Sequence, residues 1–140
     1  ELTRAGVFRI PHGGRLVSNR TPSVAWHEDG TTLAMGSPGA SRISTTLFQG
    51  WRRFAFDKLS FEDMVLAPRL HLEQVNGEFT LQHEPGIDVS LAGRQFKLRP
   101  FAARDMYFGA LNVAGCDADG ILHALADKRR HGAQFTTDQS

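Results

Sequence analysis

The stretch from Gly36 to Ile43, Gly-Ser-Pro-Gly-Ala-Ser-Arg-Ile, holds residue types suited to binding an anion. It lies between an apolar run, Thr32–Met35, and a helical pattern that begins near Ser41. A strand that ends in a small-residue turn and leads into a helix presents backbone N–H groups at the positive end of that helix. Gly39 allows close approach of a ligand, and Pro38 stiffens the turn. We therefore predict that this turn binds an anion or the oxyanion of an acyl-transfer transition state. The alternative is that the turn only connects a strand to a helix and binds nothing.

A β-hairpin before this turn and an amphipathic helix after it must position it. Asp29-Gly30 is a strong hairpin signal, and the segments 24–28 and 31–35 flank it. Apolar side chains recur at helical spacing from Ile43 to Phe54. This spacing predicts a helix over 41–56 whose apolar face is buried in the core.

The rest of the chain is predicted to contain short strands and short helices. Ser60 is a good N-cap for a second helix, which must end before Pro68. The remaining predicted elements are strands at 79–83 and 96–99, a short helix from Asp88 to Ala92, and an antiparallel pair at 107–114 and 121–126. Together these elements predict an α+β fold with a mostly antiparallel sheet and packed helices.

The composition is typical of a single globular domain, which we assign to residues 1–140. Residues 1–14 are predicted to form an irregular N-terminal segment. A net charge of +1 gives no general attraction to nucleic acid or to a membrane surface. No apolar run has the length of a membrane-spanning helix. The single cysteine, Cys116, cannot form an intramolecular disulfide and is expected to be a small apolar residue rather than a nucleophile.

The residue pattern predicts no cofactor and no metal site. His123, Asp127 and His131 recur at intervals of four, but 121–126 is predicted as a strand, where this spacing does not bring three ligands together. The basic run Lys128–Arg130 suggests phosphate binding or, as we favour, a solvated edge.

Four segments, in the same order along the chain, resemble gamma-glutamyltranspeptidases. The turn Gly36–Ile43 closely resembles the family's Gly-Ser-Pro-Gly-(Gly/Ala)-Ser-Arg-Ile signature. The others are Arg15–Ser23, similar to Arg-Pro-Leu-Ser-Ser-Met-Ser-Pro-Thr; Ala67–His71, similar to Ala-Pro-Arg-Phe-His; and Ala126–Ala133, similar to Ala-Asp-Pro-Arg-Arg-x-Gly-Ala. The match covers roughly residues 14–134. The last segment implies a structural ion pair between Asp127 and Arg129.

The resemblance implies a fold and a set of site residues. The fold is the αββα sandwich of N-terminal-nucleophile hydrolases, of which this chain would supply a part. The residues aligned with Gly39 and Ala40 donate backbone N–H groups to the tetrahedral oxyanion, and those aligned with Ser18 and Asn19 bind the α-carboxylate of the glutamyl substrate. Ala40 stands where the family usually has glycine, and it keeps the donor if the turn needs no positive φ there. If the turn does need a positive φ, we expect the turn to move and the oxyanion hole to be compromised. Arg20 replaces an apolar residue and has the charge to add a contact to a carboxylate. The alternative for Asn19 and Arg20 is a solvated turn before Pro22.

The resemblance also implies that the chain is the C-terminal part of a small subunit. Family members cleave themselves, and the new N-terminal threonine attacks the γ-glutamyl bond with its own amine as base. Since this chain begins Glu1-Leu2-Thr3-Arg4, we expect the nucleophile to lie outside it and the chain alone to be inactive. Its expected partners are the large subunit, the N-terminal part of the small subunit, a γ-glutamyl substrate such as glutathione and, for the isolated chain, further copies of itself. The family implies a periplasmic or secreted parent protein, with the cytoplasm left open.

Two other functions remain open at this point. Asn19 and Arg20 also suit a different amidohydrolase on the same scaffold, such as a cephalosporin acylase or a polyglutamate-processing relative. The third possibility is a non-catalytic module that uses the fold for association. A Thr-Thr-His/Ser segment upstream of the matched region would favour an enzyme, and its absence would favour the module.

Overall fold

The computed structural model describes residues 11–15, 18 and 20–137. Within these residues, eight strands form two sheets and two α-helices cover one face of the larger sheet. The strands are β1 (Ser23–Trp26), β2 (Thr32–Gly36), β3 (Leu70–Val75), β4 (Glu78–His83), β5 (Lys97–Pro100), β6 (Asn112–Cys116), β7 (Leu122–Leu125) and β8 (Gln134–Thr136). The helices are α1 (Arg42–Arg52) and α2 (Phe61–Leu66). None of the helices in these ranges is long and apolar enough to cross a membrane.

The larger sheet has the order β1-β2-β6-β7-β8, and every neighbouring pair in it is antiparallel. The smaller sheet has the order β3-β4-β5, with β3 antiparallel and β5 parallel to β4. The predicted α+β architecture with a mostly antiparallel sheet is therefore confirmed.

The hairpin before the Gly36–Ser41 turn forms as predicted, with slightly shorter strands. The His27 N–H donates to the Thr31 carbonyl at 2.8 Å, which closes the loop between β1 and β2. Gly30 has a φ of 92°, and the Asp29 carboxylate accepts a hydrogen bond from the Thr31 N–H at 2.9 Å. The local turn chemistry of Asp-Gly thus sets the position of β2, which leads directly into the turn.

The first helix is also confirmed, although its last part is not α-helical. After α1 the chain continues as a π-helical segment, Arg53–Asp57, and ends at Lys58 in the left-handed conformation. Ile43 and Leu47 are buried, as the apolar spacing predicts. The start of this helix is therefore packed against the sheet immediately after the glycine-containing turn.

The second helix begins and ends where the sequence predicts. The Ser60 hydroxyl accepts a hydrogen bond from the Asp63 N–H at 3.1 Å and caps the helix. Ala67 is extended, as expected of a residue before Pro68, and the helix stops at Leu66.

The helix predicted from Asp88 to Ala92 is wrong. The Asp88 carboxylate accepts a hydrogen bond from the Ser90 N–H at 2.9 Å, which stabilises a local turn in competition with a helix. A single 3₁₀ turn at Ala92–Arg94 follows.

The strand predicted at 107–114 is wrong at its beginning. Met106–Phe108 forms a 3₁₀ turn that the Asp105 carboxylate caps by accepting from the Tyr107 N–H at 2.7 Å. The strand itself starts at Asn112. Strands β3 and β8 were not predicted, because His71 and Glu73 break the apolar pattern of β3 and β8 has only three residues.

The hydrophobic core lies between the larger sheet and the two helices. Its buried side chains are Leu33, Met35, Ile43, Leu47, Phe61, Met64, Val65, Leu111, Val113 and Leu125. The opposite face of the sheet is uncovered within the described residues and carries apolar side chains on its outer strands. Four of them, Val24, Trp26, Leu122 and Phe135, have relative exposures of 68%, 80%, 55% and 64%. The strand register puts all four on this one face.

A buried cluster of two arginines and two carboxylates stands beside the core. Arg69 contacts Asp127 at 2.5 Å, and Arg129 lies 3.2 Å from the same carboxylate. The Arg129 Nε also donates to Glu84 at 2.7 Å. All four side chains are 1% exposed or less, so their opposite charges must compensate one another. The ion pair expected between Asp127 and Arg129 is confirmed.

This cluster also binds the backbone of distant segments. The Glu84 carboxylate accepts hydrogen bonds from the Arg69 and Asp105 N–H groups, each at 2.9 Å. The Asp127 carboxylate accepts one from the Leu111 N–H at 3.0 Å. The segment between Asp105 and Leu111, which leads into β6, is therefore held at both ends by buried carboxylates.

The charges of the cluster stabilise one another. Burial opposes ionisation of Asp127, but Arg69 and nearby donors outweigh it and hold the pKa of the carboxyl below its usual value. Burial and the proximity of Arg129 lower the pKa of Arg69 to about 10, which leaves it protonated at neutral pH.

We expect Asp127→Asn to lower the free energy of unfolding by about 3–5 kcal/mol, because it leaves a buried arginine without its charged partner. The matched control is Asp57→Asn, which breaks the exposed Arg52–Asp57 pair and should cost less than about 1 kcal/mol. Urea unfolding followed by circular dichroism measures both values.

The pH dependence checks the cause of this loss. The pKa of Asp127 is lower in the folded state than the usual 3.8, so its contribution is complete above that pH and is lost as the pH falls through the folded value. The difference in stability between wild type and Asp127→Asn should therefore shrink in acid. If the two asparagine variants lowered the free energy of unfolding equally at neutral pH, this would contradict a stabilising role for the buried cluster.

Candidate active site

The Gly36–Ser41 turn connects β2 to α1 with two consecutive residues at positive φ. Gly39 has a φ of 135° and Ala40 a φ of 52°. The turn therefore does need a positive φ at Ala40. The alanine adopts this left-handed conformation at a cost in strain that glycine would not have, so the turn keeps its shape and its N–H group.

Two backbone N–H groups of this turn, those of Gly39 and Ala40, are left over by the hydrogen bonds of the described residues. Neither the Gly39 nor the Ala40 N–H donates a hydrogen bond to another described residue. Both residues are half-buried and line a cavity of about 510 Å³. The other residues around this cavity are Arg42, Asp105, Met106, Tyr107 and Arg130.

The first half of the turn borders a different cavity. Gly36, Ser37 and Pro38 line a space of about 400 Å³. The other residues around it are Arg20, Thr21, Pro22 and Ile43. We call it the Arg20 cavity, and the larger one the Arg130 cavity.

The back of the turn is packed tightly against Gly109. A Cβ at Gly39 would lie 3.1 Å from the Gly109 Cα, and one at Gly109 would lie 2.9 Å from the Pro38 carbonyl oxygen. The Ser37 hydroxyl accepts a hydrogen bond from the Ala110 N–H at 3.3 Å. The Thr46 hydroxyl donates to the Phe108 carbonyl at 2.8 Å. These contacts fix the turn between α1 and the segment before β6.

An ionic network follows the turn at the start of α1. One oxygen of Glu73 accepts from the Arg42 guanidinium at 3.0 Å and from the Tyr107 hydroxyl at 2.8 Å. The Arg42 guanidinium also lies 4.0 Å above the centre of the Tyr107 ring. His71 lies 3.5 Å from the same carboxylate and 3.0 Å from the Thr45 hydroxyl. The family segments include Arg42 and His71, whereas Glu73 and Tyr107 lie outside every segment and follow no sequence pattern.

The network also shifts two pKa values. Burial, with a contribution from the Arg42 charge, lowers the pKa of His71. Burial and the hydrogen bond to Glu73 raise the pKa of Tyr107. Tyr107 is therefore a protonated hydrogen-bond donor at neutral pH, and Arg42 is held in place at the edge of the Arg130 cavity.

Of the three residues predicted to bind the substrate carboxylate, Arg20 lies on the other side of the turn. Ser18 is exposed, and its hydroxyl accepts a hydrogen bond from the Arg20 N–H at 3.1 Å. Arg20 is exposed and lines the cavity named after it. Asn19 lies outside the described residues. Gly39 and Ala40 thus share one cavity, while Arg20 borders the neighbouring one.

Two of the three residues considered for a metal, Asp127 and His123, have other partners. Asp127 is bound in the buried cluster, and the His123 Nε2 lies 2.7 Å from the Asp117 carboxylate. Among the described residues, no group of three His, Cys, Asp or Glu side chains could hold a metal ion.

Comparison with known proteins supports what the motifs imply. A family model described as gamma-glutamyltranspeptidase matches residues 3–137. The chain belongs to the gamma-glutamyltranspeptidase family. A curated relative, the glutathione hydrolase proenzyme of Pseudomonas aeruginosa, is 28% identical over 127 residues, which is 88% of this chain. The chain spans only 22% of the length of that relative.

Solved structures show that the fold is that of this family. The chain matches the gamma-glutamyltranspeptidase of Pseudomonas nitroreducens with a TM-score of 0.70 and 24% identity, over 92% of this chain and 67% of that one. It matches the transpeptidase enzyme CapD of Bacillus anthracis with a TM-score of 0.69 and 24% identity, over 92% and 75% of the two chains. The described residues therefore form part of an N-terminal-nucleophile hydrolase fold, as expected.

We expect Ala40→Gly to stabilise the chain. Relief of the left-handed strain, about 1–2 kcal/mol, exceeds the entropy cost of glycine, so the net gain should be about 0.5–1 kcal/mol. Ala55→Gly is the matched control, because Ala55 is exposed in the right-handed π-helical segment. That change should lower stability by a similar amount. Urea unfolding should show a higher free energy of unfolding for Ala40→Gly and a lower one for Ala55→Gly. A lower free energy of unfolding in both variants would contradict strain at Ala40.

Proposed function

We propose that this chain is the C-terminal part of an enzyme that transfers or hydrolyses γ-glutamyl groups, and that its Gly36–Ser41 turn forms the oxyanion hole. The observation that carries the proposal is the pair of adjacent N–H groups at Gly39 and Ala40, unpaired among the described residues and bordering a cavity. Family membership supports the reaction class, since a relative is a glutathione hydrolase proenzyme.

The role of the turn follows from the chemistry of amide cleavage. A nucleophilic oxygen bonds to the γ-carbonyl carbon, and the carbonyl electron pair moves onto oxygen. Two rigid N–H donors at Gly39 and Ala40 stabilise that negative charge more strongly than they stabilise the neutral carbonyl. The C–N bond then breaks, and the amine leaves with the proton that the nucleophile gave up. Water or a second amine releases the glutamyl group in the next step.

We further propose that the nucleophile is an N-terminal threonine supplied from outside these 140 residues. The family resemblance supports this, and so does the short span of the chain, which matches 22% of the length of the curated relative. The chain alone should then bind part of the substrate without turning it over.

Ser18, Asn19 and Arg20 are proposed to bind the α-carboxylate of the glutamyl group. The position of Arg20 in the cavity next to Pro38 supports a contact on this side of the turn. A guanidinium forms strong paired hydrogen bonds with a carboxylate.

The oxyanion role is tested by removing single N–H groups from the full-length protein that carries this chain. Replacing Ala40 by lactic acid, through nonsense suppression, converts its amide into an ester. This deletes the donor and weakens the Gly39 carbonyl, which accepts a hydrogen bond from the Arg42 N–H. We expect kcat for γ-glutamyl-p-nitroanilide to fall about a hundredfold with little change in KM, because the donor acts on charge that develops in the transition state.

The same exchange at Ala118, in the exposed loop after β6, is the matched control and should leave kcat unchanged. Unchanged kcat in the Ala40 ester would contradict the oxyanion role. Cleavage of glutaryl-p-nitroanilide in preference to the γ-glutamyl compound would instead favour an acylase. No turnover of either amide by the full-length protein would favour a non-catalytic module.

We propose that the uncovered face of the larger sheet packs against the remainder of the same protein. Val24, Trp26, Leu122 and Phe135 form an apolar surface there that monomeric proteins do not usually leave exposed. A sandwich with a second sheet would bury it, and the partial N-terminal-nucleophile hydrolase fold supports this arrangement. A periplasmic or secreted location for the whole protein is proposed from the family alone.

The isolated chain should therefore self-associate through this face. Sedimentation velocity over a range of concentrations should show oligomers, and the double variant Trp26→Lys/Phe135→Lys should shift them towards monomer. Leu91→Lys is the matched control, because Leu91 is 74% exposed but lies outside the sheet. An equal effect of both changes, or a wild type that is monomeric at all concentrations, would count against this surface.

A further inference from the structure

Glu73 is a carboxylate of the smaller sheet that contacts the first residue of α1. It lies in β3, which pairs with β4 along its whole length. One Glu73 oxygen accepts hydrogen bonds from the Arg42 guanidinium at 3.0 Å and from the Tyr107 hydroxyl at 2.8 Å. The strand pairing therefore places a fixed negative charge next to the end of the Gly36–Ser41 turn.

The Arg42 guanidinium connects this carboxylate to the turn. Its Nη1 donates to the Ser41 hydroxyl at 3.0 Å, and its Nη2 donates to Glu73. The ring of Tyr107 packs against it at 4.0 Å. The side chains of Arg42 and Glu73 are only 16% and 32% exposed, so water and salt screen their attraction less than that of a surface pair. The position of Arg42 is thus set from β3.

The backbone of Arg42 fixes the direction of one proposed oxyanion donor. The Arg42 N–H donates to the Gly39 carbonyl at 2.9 Å, and the Ile43 N–H donates to the Ala40 carbonyl at 3.2 Å. The Gly39 carbonyl and the Ala40 N–H belong to the same planar peptide group and point in opposite directions. A hydrogen bond that holds the carbonyl therefore also directs the N–H.

The left-handed conformation of Ala40 makes such a restraint necessary. Ala40 has a φ of 52°, which costs an alanine energy that a glycine would not lose. A strained residue keeps its conformation only when the surrounding structure holds it there. Gly109 supports the back of Gly39, whose added Cβ would lie 3.1 Å from the Gly109 Cα. The contacts of Arg42 support the peptide that follows.

We propose that Glu73 is a positioning residue for the oxyanion hole: it holds Arg42, and Arg42 holds the peptide group that carries the Ala40 N–H. The inference rests on the proposed function of the turn and assigns that turn a support from a strand of the other sheet. Glu73 is not one of the residues that line the Arg130 cavity, so it acts through Arg42 and touches no reacting atom.

Kinetics of the full-length protein test this role. Glu73→Ala should lower kcat for γ-glutamyl-p-nitroanilide about tenfold and leave KM unchanged, because the donor remains but is less well directed. Glu73→Gln keeps an acceptor oxygen and should lose only about threefold. Glu78→Ala is the matched control, because it breaks the exposed Glu78–Lys97 pair of the same sheet and should change neither constant. A higher KM with unchanged kcat in Glu73→Ala would overturn the positioning role.

A double-variant cycle with the Ala40 ester separates positioning from a general loss of structure. The ester lacks the donor that Glu73 is proposed to direct. In the ester background, Glu73→Ala should therefore lower kcat by less than about twofold, against about tenfold in the wild type. The same tenfold loss in both backgrounds would mean that Glu73 does not act through this peptide group.

Hydrogen exchange of the full-length protein, followed by mass spectrometry, tests the inference without turnover. Glu73→Ala should accelerate exchange about tenfold in peptides that span residues 36–43, because the Arg42 and Ile43 N–H groups are bonded to the turn. Exchange in peptides from β7 should not change. Equal acceleration in both segments, or none at 36–43, would overturn the inference. If the wild type cleaves neither the γ-glutamyl nor the glutaryl amide, the proposed function fails, while this measurement still decides whether Glu73 holds the turn.

Discussion

The buried carboxylate of Asp127 is the group on which most of the structure depends. It accepts hydrogen bonds from Arg69 and Arg129, and it binds the backbone at Leu111. Through these contacts it joins the end of α2, the segment before β6 and the C-terminal turn. A charge in the interior is stable only when it is paired, so these segments must assemble together around it. The position of the turn and of its cavities follows from that assembly.

The Gly36–Ser41 turn combines rigidity with unused hydrogen-bonding capacity. Its back is fixed by Gly109 and by the Ser37 hydroxyl, while its front leaves the Gly39 and Ala40 N–H groups without described partners. Ala40 retains the left-handed backbone that a glycine would adopt more easily. Strain kept at one residue of a packed turn is common where backbone groups have a function, which agrees with the proposed oxyanion hole.

The chain belongs to a family of enzymes but carries one side of the proposed site. The two proposed oxyanion donors, Arg20 and two cavities lie along a single turn, and the nucleophile is proposed to come from elsewhere in the protein. We propose the same explanation for the face of the larger sheet that the described residues leave uncovered, because a second sheet would bury its apolar side chains. Folding and catalysis would then depend on the same missing layer.

The sequence by itself determined the local elements around the turn. Asp29-Gly30, the apolar spacing from Ile43 and the Ser60 cap act over a few residues, so the hairpin and both helices were predictable. The sequence also indicated the oxyanion candidates and the Asp127–Arg129 pair, through the resemblance of four segments to the family. Only the tertiary structure decided that Glu73 and Tyr107 meet Arg42, and that Arg130 shares a cavity with Gly39 and Ala40. These groups are distant along the chain, and their proximity depends on how the buried charges and the sheet register bring separate segments together, which leaves no periodic signal in the sequence.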